Sequence, residues 1–159
     1  TEDTVNMFEK FDVFSRAELE SRAEIKYETY TKVINIESRS MIDIASKHII
    51  PAVIKYITAL ATSINQVRQA SSAVTVEVQE DLLKKSSELL TETRNALKKL
   101  EEVTAQVEHV QPIRDKAFFF REQIVPAMEA LRKPVDELEM IVDKNMWPMP
   151  SYGDLLFEV

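Results

Sequence analysis

Cysteine is missing from this sequence, glycine occurs once and histidine twice. Each shortage excludes something. Without cysteine there is no disulfide, no thiolate zinc site and no cysteine nucleophile, which fits a reducing, cytoplasmic setting. A single glycine, Gly153, rules against turn-rich β architectures and against glycine-lined phosphate loops. Two histidines leave few ligands for a transition metal. Ala45 and Gln106 stand three residues before His48 and His109, so the E-x-x-H pairs of di-iron bundles are absent. No uninterrupted apolar run approaches the ~18 residues of a membrane span, and no signal peptide is visible. The formal charge of −7 argues against nucleic acid or an anionic membrane as partner.

What remains is enough for one helical domain with a real core, residues 1–159. The stretch Ser21 to Ile64 organises it. Tyr30, Ile34, Met41, Ile44, Ala45, Ile49, Ala52, Val53, Tyr56, Leu60 and Ile64 recur at helical spacing. Ser15-Arg-Ala-Glu18 is a capping box, repeated at Ser21 to Glu24, and the helix is expected over about 15–68. Phe8, Phe11 and Phe14 lie three apart in the lead-in, and are expected to close one end of a bundle.

Gln69 to Thr75 reads as a connection. A second helix is expected over about 77–110. Leu82, Ser86, Leu89, Thr93, Ala96, Leu100, Val103, Val107 and Val110 form its heptad seam, and Leu83, Leu90 and Leu97 widen it. Lys84–Glu88 and Lys98–Glu102 are outer-face charge pairs. Gln111-Pro112 separates it from a third helix over about 112–145, with a stripe from Ile113 to Val142. Phe118-Phe119-Phe120 is more aromatic than one face can hide, so one ring should reach a second surface. Pro51, Pro126 and Pro134 fall inside helices and predict bends. The tail, 146–159, carries Leu155, Leu156 and Phe157 and is expected to fold back over the bundle. The fold expected is therefore all-α: three long, proline-kinked, antiparallel helices with a returning tail.

Catalytic chemistry is hard to find. Glu37 and His48 fall inside the apolar stripe, about 40° and 20° from Met41 at 100° per residue. An acid/base or metal pair is one reading. The other is structural: a carboxylate held by a neighbouring helix and a neutral, hydrogen-bonded His48. Eleven residues along one helix is roughly 16 Å, too far for shared ligation, and this favours the structural reading. No catalytic, cofactor-binding or metal-ligating residue is assigned.

Three strings carry a family resemblance: SRAEIKYETYTKVINIESRSM, then IIPAVIKY, then VPAMEALRKPVDELEMIVDKNMWPMPSYGDLLF. Their order and spacing resemble the C-terminal region of type III glutamine synthetases. The ending, Trp-Pro-x-Pro-x-Tyr followed by Asp-Leu-Leu-Phe, is its most specific part, while Ser71 to Val110 carries little of it. The resemblance implies a parent enzyme, an ATP-dependent glutamate–ammonia ligase of nitrogen assimilation that uses magnesium or manganese. It also implies a homo-oligomeric ring whose active sites lie between subunits. The family's metal, ATP and glutamate residues belong upstream, so none transfers to these positions. The partners implied are the parent's catalytic core and neighbouring subunits, and the chain, which begins at Thr1, is expected to be a fragment. The alternative is a free-standing helical interaction module.

Overall fold

The computed structural model describes residues 1–150 and 152–157. Five helices make up the fold among these residues: α1 (Glu2–Lys10), α2 (Arg16–Ala70), α3 (Glu77–Gln106), α4 (residues 113–139) and α5 (Tyr152–Phe157). The all-α expectation holds.

Helix α2 begins where the capping box places it. The Ser15 hydroxyl accepts from the Glu18 amide, and the Glu18 carboxylate accepts from the Ser15 amide at 2.8 Å. The helix then continues for 55 residues, about 80 Å at 1.5 Å per residue. Over one 18-residue window its mean hydropathy reaches 1.2, apolar enough by length and composition to cross a membrane. The same helix supplies Ile49, Val53 and Tyr56 to the core. Helix α3 returns beside its second half, and α4 runs back along both. Leu97, Leu100, Val103, Phe120, Ile124 and Leu131 meet Ala45 in one core cluster. Ile49, Val53, Tyr56, Leu89, Leu138 and Val142 form a second. The heptad seam of α3 is thus the wall that both other helices share.

Close approach depends on small hydroxyl residues. Ser38, Ser86 and Thr93 are fully buried. Each donates to a carbonyl of its own helix, Ser38 to Asn35, Ser86 to Leu82 and Thr93 to Leu89. Their polarity is satisfied locally, so burial leaves no orphan donor facing a partner helix.

Two prolines share a device that the sequence reading did not anticipate. Ala45–Ile49 and Phe120–Ile124 are π turns, each ending two residues before a proline, Pro51 and Pro126. The Ile50 amide reaches back to Ala45 and the Val125 amide to Phe120. A widened turn gives the missing proline donor and its ring room without ending the helix. The flanking sequences are near-copies, Ile49-Ile-Pro-Ala-Val and Ile124-Val-Pro-Ala-Met, and that repeat was the available signal.

The boundaries differ at two places. Helix α3 gives way to a 3-10 turn at Val107–His109, and Pro112 then keeps Gln111 out of the helix. Helix α4 stops at Glu139, six residues before the expected end. The Leu138 carbonyl takes the amides of both Ile141 and Val142, and the Asp143 carboxylate takes that of Asn145 at 2.7 Å. A short acidic side chain bonding its own backbone competes with helix continuation. The connection falls where it was expected, a turn over 71–76 in which Val76 is buried while Val74, like Val78 at the start of α3, faces solvent.

Candidate interaction surfaces

Glu37 and His48 do not lie in the core: both are exposed. The inward seam of this part of α2 is Thr31, Ser38 and Ala45, seven residues apart, and Glu37 stands about 100° off it. His48 falls in the π turn and points away from the bundle. The two residues are not brought together, and the structural reading of a held, buried carboxylate fails along with the acid/base one. Among the described residues, no group of three or more His, Cys, Asp or Glu is placed to hold a metal ion.

The lead-in also differs from expectation. The rings of Phe8 and Phe14 lie 5.8 Å apart, and the Arg22 guanidinium sits 4.5 Å from the Phe14 ring centre. Phe11 is 69% exposed, and α1 has no buried residue. It packs on the start of α2, where Glu2 pairs with Arg16, rather than closing the bundle. That ion pair holds the Glu2 carboxyl below the usual range, through the hydrogen bond first and the charge second.

At the other end Trp147 returns onto the second core cluster. Leu155 and Leu156, however, are 67% and 70% exposed, against the expectation of burial. The side chain of Phe157 lies outside the described residues. Lys144 pairs with Asp154 at 3.0 Å, which ties α5 to the preceding turn without covering its leucines.

The triple phenylalanine splits as expected. Phe120 is buried, Phe119 half-buried, and Phe118 lies at the surface with Arg114 5.8 Å from its ring centre. Phe118, Tyr27, Tyr30 and Ala117, with Lys26 and Arg121 at the margins, line an open groove of about 310 Å³ between α2 and α4. A second hollow of about 270 Å³ lies between Thr31, Lys32, Arg39, Thr104 and Lys116. The Thr104 hydroxyl is buried there without a hydrogen-bond partner. Glu28, Asn35 and Glu108 share its wall, so its charge is mixed.

The geometry defines an all-α domain whose conspicuous surface features are uncovered apolar side chains. Residues 1–68 match a family model described as the glutamine synthetase C-terminal domain. A glutamine synthetase of Bacteroides fragilis (strain YCH46) is 31% identical over 149 residues, 91% of this chain and 20% of that protein. A type-3 glutamine synthetase of Dictyostelium discoideum is 30% identical over 161 residues, 99% of this chain and 22% of its own length. A glutamine synthetase of Butyrivibrio fibrisolvens is 27% identical over 159 residues, covering 100% of this chain and 23% of that one. The chain belongs to the glutamine synthetase C-terminal domain family, and it spans about a fifth of the length of these relatives.

Proposed function

We propose that this chain is the non-catalytic C-terminal domain of a type III glutamine synthetase. Its parent would ligate ammonia to glutamate with ATP and magnesium or manganese, in the cytoplasm. Its own role is packing: it would cover the parent's catalytic core and contribute to contacts between subunits of a homo-oligomer. The observation that carries this reading is the agreement of family and surface. The relatives are four to five times longer, and this chain leaves apolar groups uncovered that a larger protein would cover, Leu155 and Leu156 foremost.

The reading has two tests. Titration calorimetry of the chain with ATP and magnesium, with and without glutamate, should give no binding heat. Saturable nucleotide binding would place catalytic machinery here and overturn it. Second, the tagged chain should co-purify with the catalytic portion of its parent, and Leu155→Ser with Leu156→Ser should weaken that association at least tenfold. A chain that ignores the catalytic portion would instead be a free-standing helical interaction module.

A further inference from the structure

The first half of α2 has a second apolar face, and its charges are arranged for a particular partner. At about 100° per residue, Ile25, Thr29, Val33 and Ile36 fall within an arc of about 80°. That arc lies roughly 180° from the buried seam of Thr31, Ser38 and Ala45. Ile25 is 60% exposed, Val33 46% and Ile36 65%. No other described element covers them. The charged residues that extend and flank this face are not randomly signed. Glu18 and Arg22 stand at its start, Asp43 and Lys47 at its end, with Lys26 and Glu37 along one margin and Glu28 and Arg39 along the other.

We propose that two copies of this chain pair antiparallel along this face, about a two-fold axis near Lys32 and Val33. In that register Glu18 meets Lys47 of the second copy, and Arg22 meets its Asp43. Along the margins, Lys26 meets Glu37 of the second copy and Glu28 meets its Arg39. Ile25, Thr29, Val33 and Ile36 close the seam between them. A two-fold axis makes every such contact occur twice. A parallel pair would set Glu18 on Glu18 and Arg22 on Arg22, so the charge order selects the antiparallel arrangement, as flanking charges do in coiled coils. One like-charged meeting remains, Lys32 with its copy, and Glu28 of the same helix neutralises each lysine at 3.1 Å. Lys47 already pairs with Asp43 on its own helix, and Arg22 rests on Phe14, so the cross-pairs extend existing local contacts. The proposal gives Glu37 a role at an interface, and it does not depend on the ligase reading.

The absence of cysteine makes the test clean, since any introduced thiol is the only one. Sedimentation of the 159-residue chain across the micromolar range should show a concentration-dependent dimer. Ile36→Glu should weaken it at least tenfold while leaving the helical circular dichroism and melting midpoint unchanged. Under oxidation, Val33→Cys, next to the axis, should give a covalent dimer. Ser40→Cys should not, because the two copies of residue 40 would lie roughly 20 Å apart along the axis. A wild-type chain that stays monomeric overturns the proposal. So does a Ser40→Cys variant that cross-links as readily as Val33→Cys, which would mean a parallel pair.

Discussion

Leu100 shows most simply what a single side chain does here. It is fully buried where all three long helices meet. Leu100→Ala should cost about 2–5 kcal/mol, read from denaturant melts, because the lost contacts leave a cavity that packed helices fill only in part. Leu100→Asp should abolish cooperative unfolding, since an unpaired carboxylate has no place in that wall. Tyr56 adds a pH signature. Burial, and then the charge of Asp143, raise its phenol above the ordinary tyrosine value. A raised value in the folded state means the stabilising effect is complete below the ordinary tyrosine value. It is lost as pH rises through the raised one. Melting midpoints should therefore fall in strong alkali, and Tyr56→Phe should flatten that fall. A Tyr56→Phe variant with the same alkaline limb would place the effect elsewhere.

At the level of the element, the start of α2 is the most informative. The Ser15 amide, followed by the Ser15 hydroxyl, holds the Glu18 carboxyl below the usual glutamate range. A depressed value contributes above the ordinary range and is lost as pH falls through the lowered one. Residues 16–30 contribute nothing to the buried core, so the loss should be local. Amide protection factors, measured against intrinsic exchange, should fall in the first turn of α2 in acid, and Ser15→Ala should lower them in the same way at neutral pH. The global melting midpoint should barely move in either case. The capping box, the α3 seam and the position of the connection were all legible in the sequence because each is local chemistry at fixed spacing. The end of α4 was not. Its pattern of apolar residues runs on to Val142, but Val142 reaches the core through a turn rather than a helix.

For the molecule as a whole, the lengths of the helices decide what is left over. Helix α2 has 55 residues and α3 has 30, so α2 overhangs the bundle at its N-terminal end. Helix α1 packs on that overhang and has no buried residue. A chain beginning at Ser15 should keep the melting midpoint of the 159-residue chain, within the scatter of surface changes. A large loss would mean that the phenylalanines of the lead-in support the bundle after all. The uncovered faces, Ile25 to Ile36, the Tyr27–Phe118 groove and the leucines of α5, are the same fact at this scale: three helices of unequal length cannot satisfy every apolar stripe.

The sequence alone determined the helical class, the three long elements, the inward face of α3 and the family, because periodicity, caps and motif strings are properties of neighbours along the chain. Which face of a two-faced helix turns inward is not such a property. Glu37 and His48 fit a stripe centred on Met41, and Ile34, Met41 and Ala45 of that stripe do pack on the core, yet the residues turned fully inward are the small Thr31, Ser38 and Ala45, which leaves Glu37 and His48 exposed. The π turns belong to the same category, for they absorb two prolines that sequence rules read as bends. Tertiary structure decided these points because close packing selects among faces that local propensity leaves equivalent.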